Sequence, residues 1–370
     1  MASIAFTGGG TGGHIYPGLA VVSYLKNLLP HRIFWIGSGN GMDRTIVESA
    51  GIEFFGIPSG KLRRYFSLRN FLDIFKIAAG FFAARKILKR EGASFLFSKG
   101  GFVSVPPCAV AHIMKIPVFT HESDFSPGIA TRLNARFAER VFIPYKESAV
   151  FFTGKAAKKV RVSGNPVRAE FATADPAKGR AFLGLGEGER ILLVLGGSLG
   201  SREINDLVMA CLKRLTEFFT VVHQTGEGNI EDALKENERY KPYAYFKDEI
   251  PHIIASADLV LCRSGAGTIW ECKFLKKPMV LIPFRGSGTR GDQVENARLF
   301  EEAGAAVCFM PNSDESASAE KLSGLIVSLA QNPERLKSMA EARIGGGTSE
   351  GNAADFIAGE IAERIRGKDG

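Results

Sequence analysis

The sequence predicts an α/β fold made of two Rossmann-like domains, each built on a parallel sheet. Three observations predict it. Short β-branched or aromatic runs alternate with helical patterns along most of the chain, which is how parallel strands covered by helices read. A strand, a glycine loop and a helix open the chain at Ile4–Thr7 and Gly8–Gly13, and the same order restarts at Ile191–Leu195 followed by Gly196 and Gly197. The chain has 370 residues, more than one typical core accommodates.

The first series of strands is expected at Ile4–Thr7, Ile33–Ile36, Phe54–Ile57, Phe95–Phe97, Val118–Thr120 and Val141–Ile143. The second is expected at Ile191–Leu195, Thr220–His223, Leu259–Cys262, Met279–Pro283 and Ala306–Phe309. Helical periodicity marks Ile15–Leu29, Leu68–Arg90, Ile204–Leu215 and Val294–Ala303. Gly164-Asn165-Pro166 and a polar stretch at 173–190 precede the restart. They place the junction near 164, giving domains over 1–163 and 164–349. Segment 350–370 carries a helix pattern over 350–366 with no strand after it, and is expected to return to the first domain.

Composition narrows the class. Hydrophobic residues make up 45% and charged residues 23%, as in ordinary globular proteins. No apolar run reaches the roughly 18 uncharged residues of a spanning helix. Met1–Phe6 has no basic leader region, so no cleaved signal peptide is expected. Five cysteines are scattered and odd in number, without metal-ligand spacing, and read as reduced structural thiols of a cytosolic protein. The net charge is +8, and residues 61–90 hold nine Lys or Arg against the single acid Asp73, so this one segment accounts for all of it. A localised patch of this kind argues against a general nucleic-acid surface.

The glycine loops point to phosphate. Gly8-Gly9-Gly10-Thr11-Gly12-Gly13-His14 lies between a strand and a helix, where residues without side chains let backbone N–H groups and a helix N-terminus approach an anion. It lacks the Gly-Lys-Ser/Thr of a Walker loop. The second strand ends Ile36-Gly37-Ser38-Gly39, without the ribose-binding acid of a dinucleotide fold, which weighs against a dehydrogenase. Further loops of the type follow strands at Ser98–Phe102, Gly196–Ser201 and Ser264–Thr268. Two cradles per domain imply two phosphorylated substrates, or one large one.

Taken together the motifs are specific. Gly8–His14, SKGGFVSVPP at 98–107, HESDFSPG at 121–128, GNPVR at 164–168, GGSLGSR at 196–202, RSGAGTIWE at 263–271 and DQVENA at 292–297 stand in the order of one family. Across nearly its whole length the chain resembles the MurG family, the bacterial UDP-N-acetylglucosamine–N-acetylmuramyl-(pentapeptide) pyrophosphoryl-undecaprenol N-acetylglucosamine transferases. The resemblance implies a GT-B fold whose sheets face across a cleft, and inverting transfer of N-acetylglucosamine from UDP-GlcNAc to lipid I without a metal or other cofactor. It implies that the first domain binds the acceptor and associates with the membrane, and that the second binds the UDP-sugar. It also implies a peripheral enzyme of the cytoplasmic membrane face, in contact with a cell-wall synthesis or division complex.

By the same resemblance Glu271 matches the acid on the ribose hydroxyls and Ser198 the hydroxyl at the donor phosphate. Arg168 matches the arginine near the nucleotide, and Gln293 and Asn296 the pair at the sugar hydroxyls. Asp124 falls among the donor-binding positions. Here the chain departs from the many members that read His-Glu-Gln-Asn where it has His121-Glu122-Ser123-Asp124, and that have Gln in place of Asp292. An ionised Asp only accepts hydrogen bonds, whereas an amide also donates.

Inverting transfer needs a base and a means of neutralising the departing diphosphate. His14, at the exit of the first loop, and Glu122, at the end of a strand on the same edge, both have suitable chemistry, and the sequence leaves both open. His121, one residue earlier, alternates to the other face of the strand and reads as packing. No DxD metal motif is present, so backbone amides are expected to meet the phosphates. The acceptor diphosphate is expected on Thr11, Gly12, Gly13, Gly100 and Gly101.

The basic segment is amphipathic. Leu68, Phe71, Leu72, Phe75, Ala79 and Phe82 follow the spacing of one helical face, and Ile74, Ile77, Phe81 and Leu88 widen it. Lys61, Arg63, Arg64 and Arg69 flank one end; Arg85, Lys86, Lys89 and Arg90 flank the other. An apolar face ringed by cations suits an anionic membrane surface; the competing reading is a core helix with a solvated basic end. For the whole chain the competing functions are another GT-B glycosyltransferase and a non-catalytic UDP-sugar-binding scaffold.

Overall fold

A computed structural model describes residues 3–39, 42–60, 68–197, 200–229, 237–286, 291–344 and 351–367, and over 68–74 the backbone alone. The chain divides into two compact units, Met1–Ala169 with Gly345–Gly370, and Glu170–Ile344. The division falls after Ala169, so Gly164, Asn165 and Arg168 belong to the first unit.

The first unit is a seven-stranded parallel sheet of β1 (Ser3–Thr7), β2 (Arg32–Ser38), β3 (Glu53–Ile57), β4 (Ala93–Ser98), β5 (Val118–His121), β6 (Arg140–Ile143) and β7 (Val160–Val162), in the order β3-β2-β1-β4-β5-β6-β7. Its helices are α1 (Tyr16–Leu28), α2 (Met42–Ser49), α3 (Leu68–Arg90), α4 (Val105–Ile113) and α5 (Ile129–Phe137). The central strands are apolar on both faces, as strands sandwiched by helices must be; every residue of β1 is buried. Gly18 lets α1 sit close to β2, because a Cβ there would stand 2.5 Å from the Trp35 ring.

The second unit repeats the plan. After α6 (Pro176–Leu183), strands β8 (Ile191–Leu195), β9 (Thr220–Gln224), β10 (Tyr240–Tyr243), β11 (Leu259–Cys262), β12 (Met279–Leu281) and β13 (Ala306–Cys308) form a parallel sheet in the order β10-β9-β8-β11-β12-β13. Helices α7 (Arg202–Leu215), α8 (Ile250–Ser256), α9 (Ala266–Phe274), α10 (Asp292–Glu302), α11 (Glu315–Ala330) and α12 (Pro333–Glu341) cover it. In both sheets the order reverses beside the first strand, which puts a topological switch point at the ends of β1 and β4 and again at the ends of β8 and β11.

The closing helix α13 (Ala353–Arg366) lies in the first unit and packs on α1, with Ala354, Ile357, Ala358, Ile361 and Ile365 in one core with Val21, Val22 and Leu25. Asn352 pins its start. The side chain accepts from Ala354 N–H at 2.9 Å and Val167 N–H at 3.1 Å, and donates to the Val167 carbonyl at 2.7 Å. Arg364 pairs with Glu139 at 2.7 Å, and Arg140 with Glu360.

The two faces of α3 differ. Ala84, Ile87 and Leu88 are buried in the core with Phe81 packed beside them, so the widening set Phe81 and Leu88 serves packing rather than an exposed stripe. Phe75 and Phe82 are 68% and 70% exposed, and Arg85, Lys86, Lys89 and Arg90 are exposed. Arg90 is engaged, stacking 4.9 Å over Phe55 and bonding Glu91. The side chains of Leu68, Arg69, Phe71, Leu72 and Ile74, and residues Lys61, Arg63 and Arg64, lie outside the described residues. No described helix is long and apolar enough to cross a membrane.

Candidate active site

At the first switch point Thr7 of β1 pairs with Ser98 of β4, so the turns that follow emerge side by side. Gly101, at φ +77°, needs to be glycine twice over: the conformation is left-handed, and a Cβ would stand 2.5 Å from the Gly9 carbonyl oxygen. The two turns therefore touch through backbone. His14 ends a short 3-10 turn, Gly12–His14, and is half-buried. Its ring lies over the other turn: a Cβ on Gly100 would be 3.8 Å from Nδ1, and one on Gly101 3.3 Å from Cδ2. Thr11 and Gly13 are exposed and Gly12 half-exposed. The structure thus gathers the expected acceptor-diphosphate residues and His14 into one surface.

Asp43, in the first turn of α2, holds this loop in shape. It is buried, and its carboxylate accepts from Gly10 N–H at 3.0 and 3.2 Å and from Ser38 N–H at 3.1 Å. A Cβ on Gly9 would be 2.0 Å from its Oδ2. An acid does follow the second strand, five residues beyond Ser38, and its hydrogen bonds go to the glycine loop and the end of that strand. Only the residue type, an Asp opening a short helix, could have signalled this in the sequence.

The loop after β5 is organised by Glu122, which is buried. Its Oε1 accepts from Ser123 N–H at 2.9 Å and Asp124 N–H at 3.3 Å, and its Oε2 from Gly128 N–H at 3.1 Å. Both carboxylate oxygens are therefore committed to the main chain. His121 is fully buried with Nε2 3.1 Å from the Gly164 carbonyl oxygen. Burial, and then the charge of Lys99, push its pKa well below the usual histidine range, so the ring is neutral. Asp124 is half-buried beside this loop. Arg168 ends the segment that follows β7, with its guanidinium 5.7 Å over the Tyr16 ring.

In the second unit the loops after β8 and β11 open on a cavity of about 740 Å³, lined by Gly196, Gly200, Arg263, Phe284, Arg285 and Gln293 among others. Gly200, at φ +75°, brings the first loop against Thr225, whose carbonyl oxygen would be 2.2 Å from a Cβ. Arg263 ties the surroundings together, donating to Ser201 Oγ at 2.6 Å, Glu203 at 2.6 Å and the Ile282 carbonyl at 3.1 Å. A larger hollow of about 1120 Å³ lies between α7 and α11, lined by Asp206, Arg214 and Glu320 among others. The strand-end cavity is the better candidate, since doubly wound sheets bind ligands outside the carboxyl ends of their strands.

Gln293 lines that cavity, and its Oε1 accepts from Phe284 N–H at 3.0 Å. Asn296 is fully buried and donates to the Ser264 carbonyl at 3.3 Å, while Ser264 Oγ donates to the Gln293 carbonyl at 2.6 Å. It stitches α10 to the loop after β11. Glu271 stands half-buried in the second turn of α9. Ser198 lies outside the described residues.

These two switch points, each with paired glycine turns, define a GT-B enzyme of the nucleotide-sugar type, and comparison with known proteins agrees. The model of the glycosyltransferase family 28 N-terminal domain matches residues 4–143, and that of the family 28 C-terminal domain residues 191–356. The UDP-N-acetylglucosamine–N-acetylmuramyl-(pentapeptide) pyrophosphoryl-undecaprenol N-acetylglucosamine transferase of Treponema denticola is 49% identical over 83% of each chain. The protein of that name from Treponema pallidum is 44% identical, covering 98% of this chain and 96% of its own. That of Clostridium perfringens is 39% identical over 96% and 97%. Among solved structures, Acinetobacter baumannii MurG matches with a TM-score of 0.73 at 23% identity over 99% of both chains. A Neisseria meningitidis UDP-GlcNAc 2-epimerase matches at 0.69 and 15% identity over 98% and 100%. These structural likenesses establish the fold. The chain belongs to glycosyltransferase family 28, as a member of the group that carries this transferase name.

Proposed function

We propose that this glycosyltransferase moves N-acetylglucosamine from UDP-GlcNAc to the C4 hydroxyl of the N-acetylmuramyl group of undecaprenyl-pyrophosphoryl-MurNAc-pentapeptide, lipid I, giving lipid II for peptidoglycan synthesis. The observation that carries it, beside the family, is His14 lying on the Gly100–Gly101 turn. A proton acceptor is thereby built into an anion cradle, as an acceptor with a hydroxyl near a diphosphate requires. The acceptor oxygen bonds to C1 of the sugar as the bond from C1 to the UDP oxygen breaks, and that electron pair leaves with UDP. The hydroxyl proton passes to the imidazole of His14. Glu122, with both oxygens on backbone amides, shapes the loop and is not the base.

Thr11, Gly12, Gly13, Gly100 and Gly101 take the acceptor diphosphate. On the donor, Glu271 takes the ribose, Ser198 and the Gly265–Thr268 turn the diphosphate, and Arg168 the nucleotide. Gln293 and Asp124 serve the sugar, and Asn296 holds Gln293 in place from behind. Phe75 and Phe82, with Arg85, Lys86 and Lys89 around them and Arg90 bracing the helix end, rest on anionic lipid at the cytoplasmic face of the membrane. A cell-wall synthesis or division complex is the natural consumer of the product.

The test is incubation with labelled UDP-GlcNAc and a short-chain lipid I analogue, with and without chelator. Disaccharide-lipid product with inverted linkage, formed at a rate EDTA barely changes, is expected. Epimerised or hydrolysed UDP-GlcNAc with no transfer would refute the assignment.

A further inference from the structure

The end of β4 carries a side chain that none of these roles uses. Lys99 is 1% exposed, and its Nζ donates to Ser123 Oγ at 2.6 Å. Ser123 Oγ donates onward to Asn165 Oδ1 at 3.0 Å. The Lys99 backbone N–H donates to the Thr7 carbonyl at 2.8 Å, and the next two residues are the Gly100–Gly101 turn beneath His14.

Three segments therefore meet at one buried ammonium: the turn that receives His14, the 122–128 loop shaped by Glu122, and the 163–168 stretch that ends in Arg168. Burial of an ammonium is unfavourable unless it is paired and hydrogen-bonded. A methionine of similar length would fill the same space without that cost. The ammonium is instead met by the Ser123 hydroxyl and faced by Glu122 and Asp124, so its charge ties those segments together.

We propose that Lys99 is a positioning residue for the transfer. Its charged ammonium, relayed through Ser123 to Asn165, holds the 122–128 loop and the 163–168 segment against the Gly100–Gly101 turn, and so fixes where the acceptor meets His14. This rests on the assignment of the first unit to the acceptor.

The groups that face the ammonium are Glu122 and Asp124 on the loop after β5, the neutral His121 at the end of that strand, and the uncharged Asn165 on the segment after β7. Burial draws the Lys99 pKa down from 10.5 to about 8, with Glu122 and then Asp124 opposing it. Above about pH 8 the relay loses its charge, the two carboxylates repel, and acceptor binding weakens. Stability moves the other way. The unfolded chain keeps the proton that the folded chain has lost, so the contribution of Lys99 to stability rises between about pH 8 and about 10.5. A residue that served stability alone would not lower activity over a range in which its own contribution to stability grows.

The experiment measures acceptor KM, kcat, UDP Kd and thermal stability from pH 6 to 10 for the wild type, Lys99→Met and Ser123→Ala. Lys99→Met should raise acceptor KM about tenfold or more, weaken UDP binding by a smaller factor because the 163–168 segment ends in Arg168, and abolish the rise of acceptor KM above pH 8 seen in the wild type. It should also cancel the alkaline gain in stability. Ser123→Ala, which keeps the charge and cuts the relay, should raise acceptor KM at every pH. The proposal is overturned if folded Lys99→Met keeps the wild-type acceptor KM and pH profile. If Lys99→Met does not fold, the proposal is overturned by a wild-type acceptor KM flat across pH 8 or by Ser123→Ala with normal KM. Wild-type protein that transfers nothing at pH 7 would instead sink the assigned activity, which separates the two failures.

Discussion

Replacing Asp43 by Asn tests how the acceptor surface is built. The carboxylate presents one oxygen to Gly10 N–H and the other to both Gly10 and Ser38 N–H. An amide keeps one acceptor and turns an NH₂ group on the other donor. One charge-assisted bond is lost and a donor is left facing a donor, a cost of about 2 kcal/mol. For a unit of this size that lowers the unfolding temperature by about 4–8 °C, in the transition of the first unit. Gly9 and Gly10, displaced from the carboxylate, shift the turn that carries His14, and misplacement near 1 Å reduces kcat/KM for the acceptor by about 10²-fold. UDP affinity should change little, because Asp43 bonds only Gly10 and Ser38 and none of the residues assigned to the donor. Calorimetric scanning, UDP titration and steady-state kinetics on one preparation decide it. An unmoved transition, or UDP affinity falling together with acceptor turnover, would refute the reasoning.

His14→Ala should lower kcat by about 10²–10⁴ with UDP Kd nearly unchanged, while Glu122→Gln should act through loop order and show first in acceptor KM and thermal stability; a Glu122→Gln enzyme dead in kcat at normal KM would reverse the two assignments. Glu271→Ala should weaken UDP binding by about 1.5–3 kcal/mol in a calorimetric titration, through loss of a charged hydrogen bond to ribose, and unchanged affinity would remove that role. Neutral substitutions at Arg85, Lys86 and Lys89 should together release the protein from anionic vesicles, at about 1 kcal/mol per cation, with turnover on a water-soluble acceptor retained; binding insensitive to salt and to all three changes would return the patch to ordinary surface.

Most of the architecture was legible because buried parallel strands are apolar runs and because the glycine turns punctuate them. β1, β8 and β11 stand where the apolar runs predicted them. β7 and β10 were not read, and both are edge strands: Val160–Val162 is short, and Tyr240–Tyr243 includes Lys241 and Pro242, residues tolerated where one side of a strand has no partner. Short helices such as α2 and α4 offer too few turns for periodicity to speak. The site was legible as a list of loops but not as a set of contacts. Asn296 and Gln293 share one helix, and nothing in the sequence shows which of them faces the cavity and which the core. The link from Asp43 to Gly10 spans 33 residues and exists only once β1 and β2 are paired.

The same gap explains why the main-chain duties of Asp43 and Glu122 could not be read from the sequence. Asp43, in the first turn of α2, and Glu122, just after β5, lie at strand-to-helix turns where several N–H groups converge that the ladder does not use. An ionised oxygen there satisfies two or three of them at once, which no neutral side chain of that size does as well. His14 is placed differently. It is half-buried and reaches over turns that have no side chains of their own. The division of labour is local: Asp43 holds Gly10 in a left-handed conformation that favours glycine, Glu122 holds the 122–128 loop, and His14, the proposed base, lies over the turns between them.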